Sequence, residues 1–372
     1  MKHNVLSHYL DPWAKIRGTY NEQLNYIDGF GGIGAYHTAN DVEQGLYLSN
    51  HFGSPVFSVE AIYEQQKLKR IKRVSALVID TDQKNLDNLK LIFEQKKLPL
   101  PNFICGDFDT EINKILNVLK KKLYPTFFLL DPFGFSQVKF RTVKRIMTEF
   151  DNTEIVITFM YNSINRFLED PKLETIYNDL FGCTDWKKFV DSPTQAKERA
   201  LVTLFRDQCK KAGAKYVYPY KLNFPEKNRP YYYLFHLCNH HLGTKIMKEI
   251  FARENDGEVE YSGQPQNPNL FDEIIPSHER GDKCPKCYIP NSTVEGKCID
   301  CFRSKFGSRE ITYRGLLQSI IDEVPWTERG IRTALQDFEK RNEITVKPSS
   351  QRKRKRKNGF QEDDVIMFTK KS

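Results

Sequence analysis

Asp28, Asp80, Asp107 and Asp131 each stand at or just after the end of an apolar stretch, and the residues around them make these four positions the places where this chain could do chemistry. Asp28 lies in YIDGFGGIG, whose glycines Gly29, Gly31, Gly32 and Gly34 let a backbone turn approach a ligand without Cβ clashes. Gly29, Gly31 and Gly34 also satisfy the literal GxGxxG pattern of dinucleotide sites. A carboxylate directly beside such a turn repels a pyrophosphate but suits a sulfonium and an ammonium. The expected cofactor is therefore S-adenosylmethionine rather than NAD.

Asp80 ends ALVIDTD, where an acidic residue at the tip of a second strand takes ribose hydroxyls in nucleoside-binding α/β folds. About fifty residues separate it from the glycine turn, against the usual ~20. An insertion, Tyr36 to Pro55, is expected to sit over the cofactor site. Asp107, in ICGDF, stands where an adenine ring would be contacted; a surface loop aspartate is the plain alternative.

FFLLDPFGF carries the acceptor chemistry. An Asp-Pro-aromatic sequence after an apolar strand resembles the DPPY motif of enzymes that methylate exocyclic amines on bases. Asp131 and the Pro132 carbonyl would accept hydrogen bonds from a target amine while Phe133 or Phe135 stacks on a flipped base. The second proline and final aromatic of that motif are replaced by Phe133 and Gly134. Downstream, MYNSINRF supplies Asn162, Asn165 and Arg166 at the edge where open α/β sheets bind ligands, with Arg166 suited to a phosphate. His236, His240 and His241 read as hairpin or core residues.

Cys284, Cys287, Cys298 and Cys301 form two CxxC pairs ten residues apart, a spacing that closes four thiolates around a tetrahedral zinc. Four thiolates leave no open coordination position, so the expected zinc is structural. The other cysteines, Cys105, Cys183, Cys209 and Cys238, read as buried free thiols. Six consecutive cations, Arg352, Lys353, Arg354, Lys355, Arg356 and Lys357, account for most of the net charge of +9. Such a run is either a solvated signal or a phosphate-binding arm.

These residues need elements to hold them. With 39% hydrophobic and 28% charged residues the chain reads as globular, and the absence of a signal-like or membrane-length apolar run makes the cytoplasm the expected compartment. After a leading helix over residues 1–20, apolar runs at Leu24–Phe30, Ala76–Asp80, Asn102–Cys105, Thr126–Asp131 and Glu154–Met160 alternate with amphipathic segments. Lys215–Tyr220 and Tyr231–Cys238 come next as a hairpin. This α/β pattern, Rossmann-like with a mostly parallel seven-stranded sheet closed by an antiparallel hairpin, is the strand plan of class I methyltransferases.

The pattern assigns residues 1–260 to that domain, 261–282 to a Gly/Pro/Asn-rich linker, 283–302 to the zinc segment and 308–372 to a basic tail. In the tail a helix at Tyr313–Asp322 precedes one over Glu328–Arg341, N-capped by Thr327. Ile331, Leu335 and Phe338 share its inner face, leaving Arg329, Arg332 and Lys340 more open. Strands at Glu343–Lys347 and Asp364–Thr369 flank the polycation, which makes a winged helix with the cations at the wing tip.

Across about residues 1–255 the chain resembles the three-Cys-motif partner proteins (TcmP), on YIDGFGGIG, HFGSPVFSVEAI, FFLLDPFGF, the SINR of Ser163 to Arg166 and YYYLFHLCNHHLGTKIMKEI. The resemblance implies a class I methyltransferase fold, a radical-SAM-like three-Cys-motif partner and a winged-helix-like C-terminus; it brings no substrate. The CxxC pairs are not matched to that family. The expected function is S-adenosylmethionine-dependent methyl transfer to a base in DNA or RNA, with Arg329, Arg332 and Arg352 to Lys357 on nucleic acid. The alternatives are a catalytically silent nucleic-acid-binding regulator or defence component of the same fold and, on GxGxxG alone, a nicotinamide-dependent oxidoreductase.

Overall fold

The computed structural model describes residues 2–35, 52–68, 71–119, 124–150, 152–223, 230–254, 299–307, 309–324, 326–348 and 359–369. The chain divides into two compact units, Met1–Leu222 with Arg229–Gly243, and Asn223–Asn228 with Thr244–Ser372. Among the described residues, no helix is long and apolar enough to cross a membrane.

The first unit opens with α1 (Lys2–Tyr20) and β1 (Gln23–Asp28), then alternates α2 (Ser54–Lys67), β2 (Arg73–Asp80), α3 (Gln83–Gln95), β3 (Asn102–Cys105), α4 (Phe108–Leu119), β4 (Thr126–Leu130), α5 (Phe140–Glu149) and β5 (Thr153–Phe159). Helices α6 (Tyr161–Phe167), α7 (Glu174–Phe181) and α8 (Thr194–Lys211) lead to β6 (Tyr216–Asn223) and β7 (Pro230–Cys238). The sheet order is β3-β2-β1-β4-β5-β7-β6; β1 to β5 pair in parallel and β7 runs antiparallel to β5. This is the α/β architecture with a mostly parallel seven-stranded sheet that the strand pattern predicts.

Every residue of β4 and β5 is buried, because helices cover both faces of the sheet. On one face Tyr9 and Trp13 of α1 pack on Phe127 at 5.9 and 5.6 Å between ring centroids. On the other, Phe205 of α8 lies 4.9 Å from Phe159 and 4.8 Å from Phe235. Near the start of β5 a buried Glu154 accepts a hydrogen bond from Tyr9 Oη (2.6 Å) and lies 3.3 Å from His236 Nε2. Burial works to raise the Glu154 pKa, but His236, Tyr9 and Arg17 outweigh it and hold the carboxyl below its usual range.

Two cysteine expectations change. Cys209 and Cys238 are buried, but Cys105, at the last residue of the edge strand β3, is exposed and Cys183 is half-buried. An edge strand has a neighbour on one side alone, so its tip is open to solvent.

The second unit holds most of α9 (His241–Arg253), then α10 (Ile299–Phe306), β8 (Glu310–Thr312), α11 (Tyr313–Ile320), α12 (Glu328–Lys340), β9 (Ile344–Lys347) and β10 (Val365–Phe368). The three strands form an antiparallel sheet in the order β8-β10-β9. Thr312 and Thr327 N-cap α11 and α12, accepting from Gly315 N (3.1 Å) and Gly330 N (3.3 Å). Phe302 of α10 reaches Phe338 of α12 at 5.5 Å and Phe368 of β10 at 5.9 Å, making one aromatic core. Lys248 of α9 is buried and donates to the carbonyls of Val324 and Trp326, which fastens α9 to the turn before α12. Neither α10 nor β8 was expected from the sequence. The second CxxC runs directly into α10.

Candidate functional site

The strand order reverses between β1 and β4, where neighbouring connections leave in opposite directions and open a crevice at the carboxyl ends of the strands. Asp28 ends β1 in register with Leu129, and Asp131 comes directly after the last residue of β4, so the two carboxylates flank this switch point.

Asp28 is fully buried. Its Oδ2 accepts from Tyr26 Oη (2.9 Å) and Ser54 Oγ (2.8 Å), and its Oδ1 from Phe30 N (3.1 Å). Burial pushes its pKa up from 3.8 to about 6; the bonds from Ser54, Phe30 and Tyr26 act the other way, and the charge of Asp131 adds to the rise. Ser54 begins α2, so the far end of the insertion returns to the glycine turn. Ala35 pairs with Phe52, and Gly53 N donates to Gly34 O at 2.8 Å. Residues 36–51, the body of that insertion, lie outside the described residues.

The glycine turn is held from both sides. Gly29 N donates to Leu129 O and Gly31 N to Ile79 O, both at 2.9 Å. Gly34 has φ +84°, and a Cβ there would lie 2.4 Å from Leu89 Cδ2, so both backbone and packing require glycine. Gly32 has φ +62°; a Cβ there would meet a single atom, Phe133 Cζ, at 3.9 Å. The turn thus lies beside the Asp-Pro-Phe segment.

Asp80 ends β2 and is buried. Its Oδ2 accepts from Gly32 N (2.7 Å), and its Oδ1 from Asp82 N (2.8 Å) and Asn85 Nδ2 (3.1 Å). A carboxylate has about four acceptor positions, so one remains on Oδ2. Asp107 is exposed, and its Oδ1 accepts from Thr110 N and Thr110 Oγ1, both at 2.9 Å, which is the bonding of a helix cap at the start of α4.

Asp131 is 20% exposed, and both of its oxygens are engaged. Thr158 Oγ1 donates to Oδ1 at 2.6 Å, and the Lys2 ammonium pairs with Oδ2. Lys2 also lies 5.8 Å from the centroid of the Tyr232 ring. Its neighbour His3 packs on Phe57 at 5.0 Å, and burial, then the Lys2 charge, lowers its pKa to about 4. Pro132 is buried, whereas Phe133 is 77% exposed. Phe135 is stacked on Tyr177 at 5.3 Å and 4°, which leaves Phe133 as the open ring. Asn162 and Asn165 are half-buried on α6; Arg166 is exposed, with its guanidinium 5.1 Å from the Phe167 ring.

Of the tail residues, Arg329 is exposed on α12. Arg332 is not open. Its guanidinium donates to Phe360 O (2.9 Å) and Glu328 Oε1 (2.8 Å) and lies 5.0 Å over the Tyr313 ring. It ties α12 to the chain entering β10. Arg352 to Lys357 and Cys284, Cys287 and Cys298 lie outside the described residues; Cys301 falls on α10. Among the described residues, no group of three His, Cys, Asp or Glu side chains is placed to hold a metal ion.

No family model matches this chain, and no curated protein matches it in sequence. Similar solved structures include a Legionella pneumophila protein of the DUF519 family (12% identity, 67% of this chain and 91% of that chain, TM-score 0.40). They also include an S-adenosylmethionine-dependent methyltransferase from Clostridium acetobutylicum (12% identity, 44% and 53%, TM-score 0.26). A third is M. jannaschii TYW2 in complex with AdoMet (12% identity, 64% and 75%, TM-score 0.29). None of these likenesses carries a residue correspondence or an activity to this chain.

Lys2, Thr158, Ser54 and Tyr232 belong to this corner and could not be found by motif. Thr158 alone left a signal, as the polar residue that interrupts the apolar run from Ile155 to Phe159. The other three arrive from distant segments of the chain.

Proposed function

We propose that the first unit binds S-adenosylmethionine at the crevice between β1 and β4 and transfers its methyl group to an amine on a nucleic-acid base. The observation that carries this reading is the juxtaposition of Gly32 and Phe133, which brings the glycine turn and the Asp-Pro-Phe segment to one corner. Asp28 and the turn would hold the methionine end of the cofactor, and the spare Oδ2 position of Asp80 would take a ribose hydroxyl. When bound, the cofactor supplies an electrophilic methyl group on a sulfonium. Asp131 and the Pro132 carbonyl would orient the target amine, and Phe133 would stack on its ring. Asn165 and Arg166 would meet the flanking backbone.

The element order α10-β8-α11-α12-β9-β10 supports reading the tail as a winged helix that holds nucleic acid. The thiolates of Cys284, Cys287, Cys298 and Cys301 suit a structural zinc ahead of it. The TcmP-like motifs support a radical-SAM-like three-Cys-motif protein as partner.

Calorimetric titration of the full chain with S-adenosylmethionine and with NAD tests the cofactor. Binding of the first alone, lost in Asp80→Ala, is expected; binding of NAD, or of neither, overturns the assignment. A second reading, a catalytically silent nucleic-acid-binding protein, is favoured by one observation: Thr158 and Lys2 already take one acceptor position on each oxygen of Asp131. Radiolabelled methyl transfer to DNA and RNA pools decides between the two.

A further inference from the structure

Helix α12 has two sharply different faces. At about 100° per residue, Ile331, Ala334, Leu335 and Phe338 fall on one side, and all four are buried. Arg329, Thr333, Gln336 and Lys340 fall within about 60° of arc on the opposite side. Arg329, Thr333 and Lys340 are exposed and Gln336 is half-buried. Among the described residues, neither the Arg329 nor the Lys340 side chain has a hydrogen-bond or ion-pair partner.

Neighbouring cations in the same unit are engaged instead. Arg341 pairs with Asp337 (2.7 Å), Lys347 with Glu310 (2.5 Å), Arg314 with Glu362, and Arg332 with Glu328. The carboxylates of α12 lie off its outer face. Glu328 is buried against Lys245, Arg332 and Tyr313, Asp337 is held by Arg341, and Glu339 is half-buried on the flank. The outer face is therefore polar and cationic, with Thr333, whose hydroxyl donates to the Arg329 carbonyl, between its charges.

We infer that this face of α12 enters the major groove of duplex DNA, Arg329 meeting a base edge and Lys340 a phosphate. The inference rests on reading the tail as the part that holds nucleic acid, and it names the duplex. B-form DNA has a major groove about 12 Å wide that admits a helix, whereas the major groove of A-form RNA is deep and narrow and does not. Arg329 lies in the first turn of α12, the end from which such helices contact bases. Arginine is the side chain that reads a guanine edge with a pair of hydrogen bonds. Arg332, bonded inside the fold, has no part in it.

Fluorescence anisotropy of the full chain, without S-adenosylmethionine, against a labelled duplex DNA and a duplex RNA of the same sequence tests this. DNA is expected to bind at least about tenfold more tightly. Replacing Arg329 and Lys340 together by alanine should cost about tenfold in DNA affinity while circular dichroism and the melting temperature stay unchanged, since both side chains are exposed. Equal binding of the two duplexes overturns the inference, as does a folded double variant that binds DNA like the wild type. If the chain binds no nucleic acid at all, the tail reading falls with it. Titration of the same double variant with S-adenosylmethionine reports separately on the first unit, so a failure there is a different result.

Discussion

Asp28 is a buried carboxyl at the turn where a cationic ligand would sit, and its proton is the first consequence at the scale of single residues. The folded chain holds that proton up to about pH 6, whereas the unfolded chain releases it near 3.8. The folded state therefore binds more protons between these values, and the Asp28 contribution to stability falls as the pH rises from about 4 to about 6, then stays constant. Its upper bound is about 3 kcal/mol. Urea denaturation across this range should show that slope in the wild type and its loss in Asp28→Asn. S-adenosylmethionine affinity should move the opposite way, dropping by about tenfold per pH unit below 6, because a cation selects the ionised carboxyl. Lys2 is the second case. Its ammonium takes one of the two acceptor positions on Asp131 Oδ2 and competes there with a target amine, so Lys2→Met should lower KM a few-fold and leave kcat nearly unchanged in a radiolabelled transfer assay. A collapse of kcat would mean that Lys2 holds Asp131 in place.

At the scale of elements, the turn between β1 and α2 is built rather than merely permitted. Its glycines bond to the carbonyls of β2 and β4, and Gly34 sits in left-handed backbone against Leu89. Gly34→Ala should therefore cost about 1–3 kcal/mol of stability, read as a lower denaturant midpoint, and should weaken S-adenosylmethionine binding with it. Helix α9 carries a comparable constraint. Removing the Lys248 ammonium leaves the Val324 and Trp326 carbonyls without this donor, and Lys248→Met should destabilise the second unit by about 1–3 kcal/mol. Hydrogen exchange in α12, rather than in the seven-stranded sheet, is where that loss should appear.

Across the whole molecule, charge is distributed by role. The run Arg352 to Lys357 supplies most of the net charge of +9. Nucleic-acid binding should weaken steeply with salt, and neutralising the run to glutamine should flatten the log–log slope by about 0.9 for each phosphate that the chain no longer neutralises. S-adenosylmethionine affinity should be unchanged in that variant. A salt response identical to the wild type would remove the run from the interface.

Sequence by itself determined the strand plan. Buried strands must be apolar when helices cover both faces, so the strands stand out as short apolar runs, and those of β1, β2 and β4 stop directly at Asp28, Asp80 and Asp131. The candidate carboxylates were legible for the same reason, because ligand chemistry in such sheets gathers where apolar runs stop. The Thr327 cap and the inner face of α12 were legible from local spacing, which needs no distant partner. What the tertiary structure decided is everything set by partners far apart in the chain. Arg332 has the type and spacing of a contact residue, but Glu328, Tyr313 and Phe360 claim it. Phe135 equals Phe133 in sequence, yet stacking on Tyr177 withdraws it. Lys2 becomes part of the Asp131 corner because α1 packs on β4, which lies more than a hundred residues along the chain. Periodicity records which side of an element is apolar; it carries no record of which polar groups meet when the elements close.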